Sequence, residues 1–416
     1  MLMNIQNTAK RPTSPHPILN LGFRIFFASS AIFAVITMLL WALILKGIAL
    51  FKGSLDIFYW HGHEMLFGYS LAVIAGFLLT AVKTWTNQPM PYGWHLFGIF
   101  FCWVMARFLW LGLHAVPSTP MLIVAFVFDM LFWAWTSFAV VRAVAKARQK
   151  RQIGIIAKLI LIFAANLAFY IGIVLNHKTT QQISLYSTLF LIIGIVFTIG
   201  RRVLPFFIVK GISVDNFGKP SGVNIEQKNS ELLDRASLVG LAGMMIFDLF
   251  FQMPKITAVF ALVCFIANIL RLKNWYHAAI WKKPLLWSLV IAFFGMTVSL
   301  LIFVIYPFVG ETSLNLHSLG LHGLALFGIG LMTVAMMARV SLGHTGRNIH
   351  QPPKTVTAIF ILMIVSAIFR VVLPMFGYDY MTWILISQIA WILSFVLFCF
   401  SYIGILSKPR TDGLFG

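Results

Sequence analysis

Twelve apolar stretches, each long enough to cross a hydrocarbon layer about 30 Å thick, constrain this chain more than any other feature. They run over about 23–47, 61–82, 93–113, 119–141, 153–176, 182–209, 235–252, 254–272, 284–306, 316–338, 355–376 and 380–407. A backbone in lipid has no water to satisfy its N–H and C=O groups, so stretches of this kind form helices. The expected fold class is therefore all-α: a polytopic membrane protein of about twelve transmembrane helices, with residues 1–416 as a single integral membrane domain. Composition agrees, with 60% hydrophobic against 10% charged residues and a mean hydropathy of +0.91. The narrowest break is Gln252-Met253-Pro254-Lys255, between the seventh and eighth stretches. Fusing those two would make the number of spans odd and spoil the charge pattern.

That pattern orients the chain. With the N-terminus cytoplasmic and the spans alternating, 25 of the 31 Lys and Arg fall inside, including Lys10, Arg11, Arg24, Lys83, the Arg142–Lys158 run and Arg201–Arg235. Only Lys46, Lys52, Lys178 and Lys255 fall outside, and Arg107 and Arg370 lie within the membrane. The positive-inside rule accounts for such a bias and sets both termini in the cytoplasm. A net charge of +20 is then a topology signal plus attraction to the lipid bilayer, and it calls for no nucleic acid. No cleavable leader is expected, because residues 1–20 are polar and the first apolar run is too long. Cys102, Cys264 and Cys399 sit singly in three spans and are read as small core residues.

The chemistry-bearing motif is Trp60-His61-Gly62-His63-Glu64-Met65, where the second span enters lipid. An ionisable group within a span costs about 2.5–3.5 kcal/mol on insertion scales. Two readings stand: a buried site whose partner is a metal or haem iron, or interfacial residues just outside the hydrocarbon. Topology puts His61, His63, His114, His177, His317 and His322 on the outer side, and His16, His95, His277, His344 and His350 on the inner side. The second and tenth spans both run inward, so each offers histidines at an outer depth, a geometric condition for bis-histidine ligation. Positions i and i+2 of a helix point about 200° apart, so His61 and His63 do not serve one ion from a regular helix. Met65 is either a soft copper ligand or core.

Arg107 and Arg370 both reach the outer half of the membrane and need anions there. Haem propionates would pair well with guanidinium. Structural ion pairs, Arg107–Glu64 and Arg370–Asp248, are the competing reading. Asp129, near mid-membrane, belongs to a proton path or to a hydrogen-bonded helix contact. A second polar group, about 30 Å away on the inner side, comprises Gly200-Arg201-Arg202 and the run from Arg339 through Gly343-His344-Thr345-Gly346-Arg347. Glycines and a threonine between cations form either an anion-binding loop or an ordinary positive-inside loop.

Taken together, these segments resemble the NnrS family of bacterial membrane proteins. The resemblance rests on Gly22-Phe23-Arg24-x-Phe26-Phe27, on Trp60-His61-x-His63-Glu64-Met65-Leu66-x-Gly68, and on Ala75-Gly76-Phe77-Leu78-Leu79-Thr80-Ala81-Val82 followed by Trp85-Thr86. It continues through Gly200-Arg201-Arg202-x-x-Pro205-Phe206-Phe207 and His322 to Met332, Arg339 and Leu342-Gly343-His344-Thr345-Gly346-Arg347. It implies twelve spans and a multi-pass protein of the bacterial inner membrane that contains haem and copper and is linked to nitric oxide and nitrosative stress. By position, His61, His63 and Glu64 match the family's second-span motif, and His322 matches its tenth-span histidine better than His317 does. Ile25 and Lys83 stand where many members carry proline.

A wider architectural analogy is to the twelve-helix subunit of haem-copper oxidases, which also ligates haem from its second and tenth helices. Residues 182–209 and 235–252 contain no histidine, so a binuclear copper centre of that type is not expected. The leading functional reading is a haem protein, with copper possible, that takes nitric oxide as its small-molecule ligand; the sequence names no electron donor. A transporter or exporter of a metal ion or haem is the alternative, disfavoured by the lack of a visible internal repeat. A nitric-oxide-metabolising oxidoreductase, with Glu64 and Asp129 moving protons, ranks third.

Overall fold

The computed structural model describes residues 16–49, 56–115, 118–215, 220–221, 230–309, 314–377 and 379–416. Among them twelve long helices follow one another, with no strand beyond an isolated bridge between Val214 and Pro220. They are α1 (Gly22–Leu45), α2 (Ile57–Thr86), α3 (Trp94–Ala115), α4 (Thr119–Lys146), α5 (Ile153–Val174), α6 (Lys178–Ile212), α7 (Glu231–Leu249), α8 (Pro254–Trp275), α9 (Pro284–Ile305), α10 (Leu316–His344), α11 (Val356–Phe376) and α12 (Tyr380–Ser407). The chain is thus an all-α polytopic membrane protein, and each expected span has its helix. Residues 1–15 and parts of the connection between α6 and α7 lie outside the described residues.

Local chemistry explains the boundaries. Asp56 caps α2 by accepting the Phe58 N–H at 2.8 Å, so this helix starts before the motif and carries His61 and His63 within its first turns. Asn87, in the left-handed conformation at φ 53°, ends it. Proline in the first turn opens α4, α8 and α9, where a missing N–H is no loss. One segment differs from expectation. The Gly200–Phe207 motif, with Pro205, lies inside α6, as the sixth stretch places it, but α10 runs on past the expected end near 338 to His344. Arg339 and His344 are therefore helical residues, not members of a glycine-rich loop. Helices at membrane depth tolerate proline when neighbours satisfy the freed carbonyl.

Eleven of the twelve helices are long and apolar enough to span. The exception is α7, which carries Glu231, Asp234, Arg235 and Asp248. Two of those charges are answered by neighbours. Asp234 accepts from Arg201 and, at 2.9 Å, from Arg271, and Asp248 lies 2.8 Å from His317 Nε2. The narrow break after α7 is a real turn, with Gln252 at φ 51°. Gly240 makes the hairpin close: a Cβ there would lie 2.8 Å from the Cys264 nitrogen and 2.9 Å from the Phe260 oxygen, both backbone atoms.

The chain packs as two compact units. The first comprises the described parts of Met1–Thr188 with Val340–Arg347 and Phe395–Gly416; the second comprises those of Leu189–Arg339 and Asn348–Ser394. In the first, Phe26 packs against Trp103 and Phe132, the Phe23 N–H donates to Thr80 Oγ1 at 3.0 Å, and the Arg24 guanidinium donates to the Leu406 and Lys408 carbonyls at 2.7 Å. In the second, Phe293 packs against Phe197 and Trp275, and Ser366 and Ser387 join α11 to α12 at 3.0 Å. Large apolar side chains such as Phe108, Phe138 and Phe400 face outward, which suits a lipid bilayer.

Three helices contain wider π-type turns: α2 over Glu64–Ser70, α10 over Ala325–Leu331 and α11 over Ile368–Val372. Substituting Gly240→Val should force α7 from α8 and destabilise the protein by roughly 1–3 kcal/mol. The check is thermal unfolding in detergent, with the exposed Phe400→Leu change leaving the midpoint near wild type.

Candidate functional site

Three of the candidate site residues lie at or beside the π turns. His63 immediately precedes the first, His322 lies one turn before the second, and Arg370 sits within the third. A π turn inserts an extra residue and re-aims the side chains around it, and such turns concentrate at functional positions. Each unit holds its own polar centre.

The first unit's centre is a closed ion cluster assembled from α2, α3, α4 and α5. Arg107 of α3 donates through Nη1 to Glu64 Oε1 at 2.5 Å and through Nη2 to Asp129 Oδ1. His63 places Nδ1 2.9 Å from Glu64 Oε1 and Nε2 3.2 Å from Asp129 Oδ2. The Tyr170 hydroxyl donates to Asp129 Oδ2 at 3.0 Å and accepts from the Trp110 indole at 2.7 Å. His63 and Glu64 are 0% exposed, Asp129 1% and Arg107 3%, so the cluster is shut off from bulk solvent. The imidazole is walled by Trp110 at 4.1 Å and Phe169 at 4.9 Å, centroid to centroid.

Gly68, one turn after Glu64, makes room for the guanidinium. A Cβ at that position would lie 3.0 Å from Arg107 Nη1 and 2.7 Å from the Phe33 ring. The Gly68 carbonyl also accepts the Trp103 indole N–H at 2.9 Å.

Proton arithmetic characterises the cluster. A neutral imidazole has one N–H and one lone pair. With an acid oxygen near each ring nitrogen, a lone pair at either would face another lone pair. The arrangement is satisfied by one proton more than neutral imidazole carries, on the ring or on a facing carboxyl. In either case the ring nitrogens of His63 are turned to Glu64 and Asp129, which makes this histidine a poor lone-pair donor to iron. Arg107, expected to answer either a haem propionate or Glu64, answers Glu64 and Asp129 together.

His61 points the other way, as the i and i+2 spacing requires. Its ring stacks on Trp41 of α1 at 4.5 Å and 10°, and it is half-buried. Met65 is also half-buried, and its carbonyl accepts the Ser70 hydroxyl at 2.6 Å.

The second unit's centre is built differently. His322 Nδ1 lies 2.7 Å from the Ser318 carbonyl one turn earlier, which assigns the ring proton to Nδ1 and the lone pair to Nε2. Arg370 approaches that nitrogen at 3.2 Å through Nη2, while its Nη1 is buried with no hydrogen-bond partner. The Tyr380 ring lies 5.6 Å from this guanidinium. Asp248, the other partner expected of Arg370, pairs instead with His317, whose ring meets Phe303 and Tyr306 edge-on.

The inner-side residues divide between the units. In the second, Arg201 pairs with Asp234, Arg202 is partly buried and Arg339 lies over the Phe207 ring at 4.0 Å. In the first, His344 packs on Phe23 and its carbonyl accepts from Arg410 at 3.1 Å. Thr345 returns its hydroxyl to Ser341 at 2.6 Å, and the Arg347 N–H donates to Leu342. Asp129 is the residue whose part sequence reasoning understated. Its one signal was a carboxylate within a span, the same signal that singled out Arg107.

These two centres test which cofactors the residues fit. A histidine whose Nδ1–H donates to a carbonyl presents its Nε2 lone pair as metal-ligating histidines do. His322 has that donor arrangement, and Arg370 beside it has an unanswered N–H for a carboxylate. These residues fit a haem. His63 does not fit one while both ring nitrogens face acids. Copper finds less: among the described residues no group of three or more His, Cys, Asp and Glu is disposed to hold a metal ion.

A family model described as NnrS protein matches residues 17–410, nearly the whole chain. No curated protein matches it.

Breaking one partner of a buried charge cluster leaves the others uncompensated, at a cost of about 3–5 kcal/mol. Arg107→Met should therefore lower detergent thermal stability strongly. Adding Glu64→Gln and Asp129→Asn should recover much of the loss. A triple variant no more stable than Arg107→Met would show that packing, not charge balance, sets the effect.

Proposed function

The chain belongs to the NnrS family, and on that premise we propose that it is a haem-binding protein of the bacterial inner membrane acting in the response to nitric oxide and nitrosative stress. The haem is held near the outer face by histidines of α2 and α10. A ferrous haem supplies the metal to which nitric oxide binds. The chain's residues position that metal and balance its charge.

The observation that carries this reading is the disposition of His322. The hydrogen bond to Ser318 O fixes its tautomer and turns the lone pair of Nε2 toward the Arg370 guanidinium at 3.2 Å. That contact can be exchanged. Arg370 carries a spare buried N–H and would turn to a propionate once iron takes the imidazole, because a charge-assisted pair with carboxylate is stronger than one with neutral nitrogen. On α2 the ligand role falls to His61, which is half-buried against Trp41, since His63 is held by two acids. Copper, which the resemblance also implies, is assigned no residues in this reading.

The test is the reduced-minus-oxidised optical spectrum of detergent-purified protein from haem-supplied cells, with wild type beside His322→Ala, His61→Ala and His63→Ala. The reading expects haem bands in the wild type, lost in His322→Ala and reduced in His61→Ala, with His63→Ala affecting stability before spectrum. Nitric oxide should shift the bands of the reduced wild type. A colourless, correctly folded wild type would overturn the haem reading and favour transport of a metal ion or haem.

A further inference from the structure

The second unit contains a cavity of about 230 Å³ at the ends of four helices: the last turn of α6 at Gly211, the first turns of α9 and α11, and the inner end of α10. Arg339 lines it. This guanidinium is 5% exposed and, among the described residues, makes neither an ion pair nor a hydrogen bond; its one contact of note is the Phe207 ring beneath it at 4.0 Å. A buried cation without an acid is costly, and cations at such depth ordinarily pair with an anion. Lys282, Lys283, His350 and Lys354 line the same cavity.

Their arrangement shows which charge the cavity wants. Lys283 Nζ is tied to the Gly211 and Val214 carbonyls at 2.6 and 2.5 Å and lies 3.2 Å from His350 Nδ1. Burial, then the positive charges of Lys283 and Arg339, press the His350 imidazole below its usual range, and burial with Arg339 lowers Lys283. Asp215 offsets part of this at both groups. The field in the cavity therefore opposes further positive charge. Two helix N-termini add to it, because the Pro284–Leu286 and Val356–Thr357 turns form part of the wall and bring the positive ends of their dipoles to the same space.

We propose that this cavity binds a phosphate-bearing anion, with Arg339 as the charge-bearing anchor and Lys354 at the rim. The volume falls below that of drug-sized sites, about 300–1,000 Å³, and suits a headgroup or a small phosphate. Charge topology assigns this end of the helices to the cytoplasmic side, where basic pockets between membrane helices meet anionic headgroups. The source of the phosphate is therefore an anionic phospholipid or a soluble phosphate, and the site owes nothing to the haem reading.

The experiment is equilibrium binding to the full chain, delipidated in neutral detergent. The probes are inorganic phosphate and short-chain phosphatidylglycerol, with chloride and short-chain phosphatidylcholine as controls. The expectation is saturable binding of at least one anion above its control, weakened about tenfold or more by Arg339→Gln and a few-fold by Lys354→Gln. Binding of phosphate alone identifies a soluble ligand; binding of phosphatidylglycerol alone identifies a headgroup. Lys354 is exposed, so its variant decides the matter if Arg339→Gln does not fold. Binding no better than the controls, or binding that folded variants leave unchanged, overturns the proposal.

Discussion

Arg107 between Glu64 and Asp129 is the interaction on which the first unit depends. Taking each of these ions out of water costs several kcal/mol, and only mutual attraction with good geometry repays it. That geometry needs four helices at once. Glu64 comes from a π turn in α2, Arg107 from α3, Asp129 from α4, and Tyr170 of α5 with Trp110 of α3 closes the polar perimeter. The second helix is correspondingly enclosed, with nearly all of its apolar stretch buried. A helix so enclosed cannot rotate or slide without separating charges in a medium that punishes separation. The cluster thereby sets the register of its neighbours as much as their stability.

The second unit handles the same problem in the opposite way. One imidazole proton of His322 goes to a carbonyl of its own helix, and the Arg370 guanidinium meets the other ring nitrogen and an aromatic ring. The contrast is between a histidine held by two acids and one held by a carbonyl and a guanidinium. Both histidines lie in apolar helices, and both are preceded or followed by a π turn. Only the hydrogen-bond partners tell them apart.

How far the sequence could be read follows from this. The twelve helices were legible because apolar runs are broken by Pro254, Pro284, Asn87 and clusters of charge, and those breaks act through local chemistry. The family was legible in motifs spread from Gly22 to Arg347. Helix ends were less so. Leu342–His344 looks like a loop by composition, yet forms the last turn of α10. The π turns left no periodic mark. Asp129 and Asp248 were visible as charges, but their partners were a matter of space. Asp248 meets His317, 69 positions away in sequence, whereas Arg370 was the expected partner. Pairings between helices are set by packing angle and rotation, which a linear pattern does not encode.

The π turn of α10 has a consequence for how this helix tolerates change in length. One residue more than a regular turn holds is stored over Ala325–Leu331, between His322 and Arg339. Removing a single residue there would let the backbone relax to ordinary α-geometry, turning one end against the other by about 100°. The imidazole and the guanidinium, on opposite sides of the stored residue, would then no longer both face their present surroundings. In this helix spacing works as a phase: the extra residue tunes the angle at which its two ends present their chemistry. A gain or loss of one position is a rotation rather than a shortening.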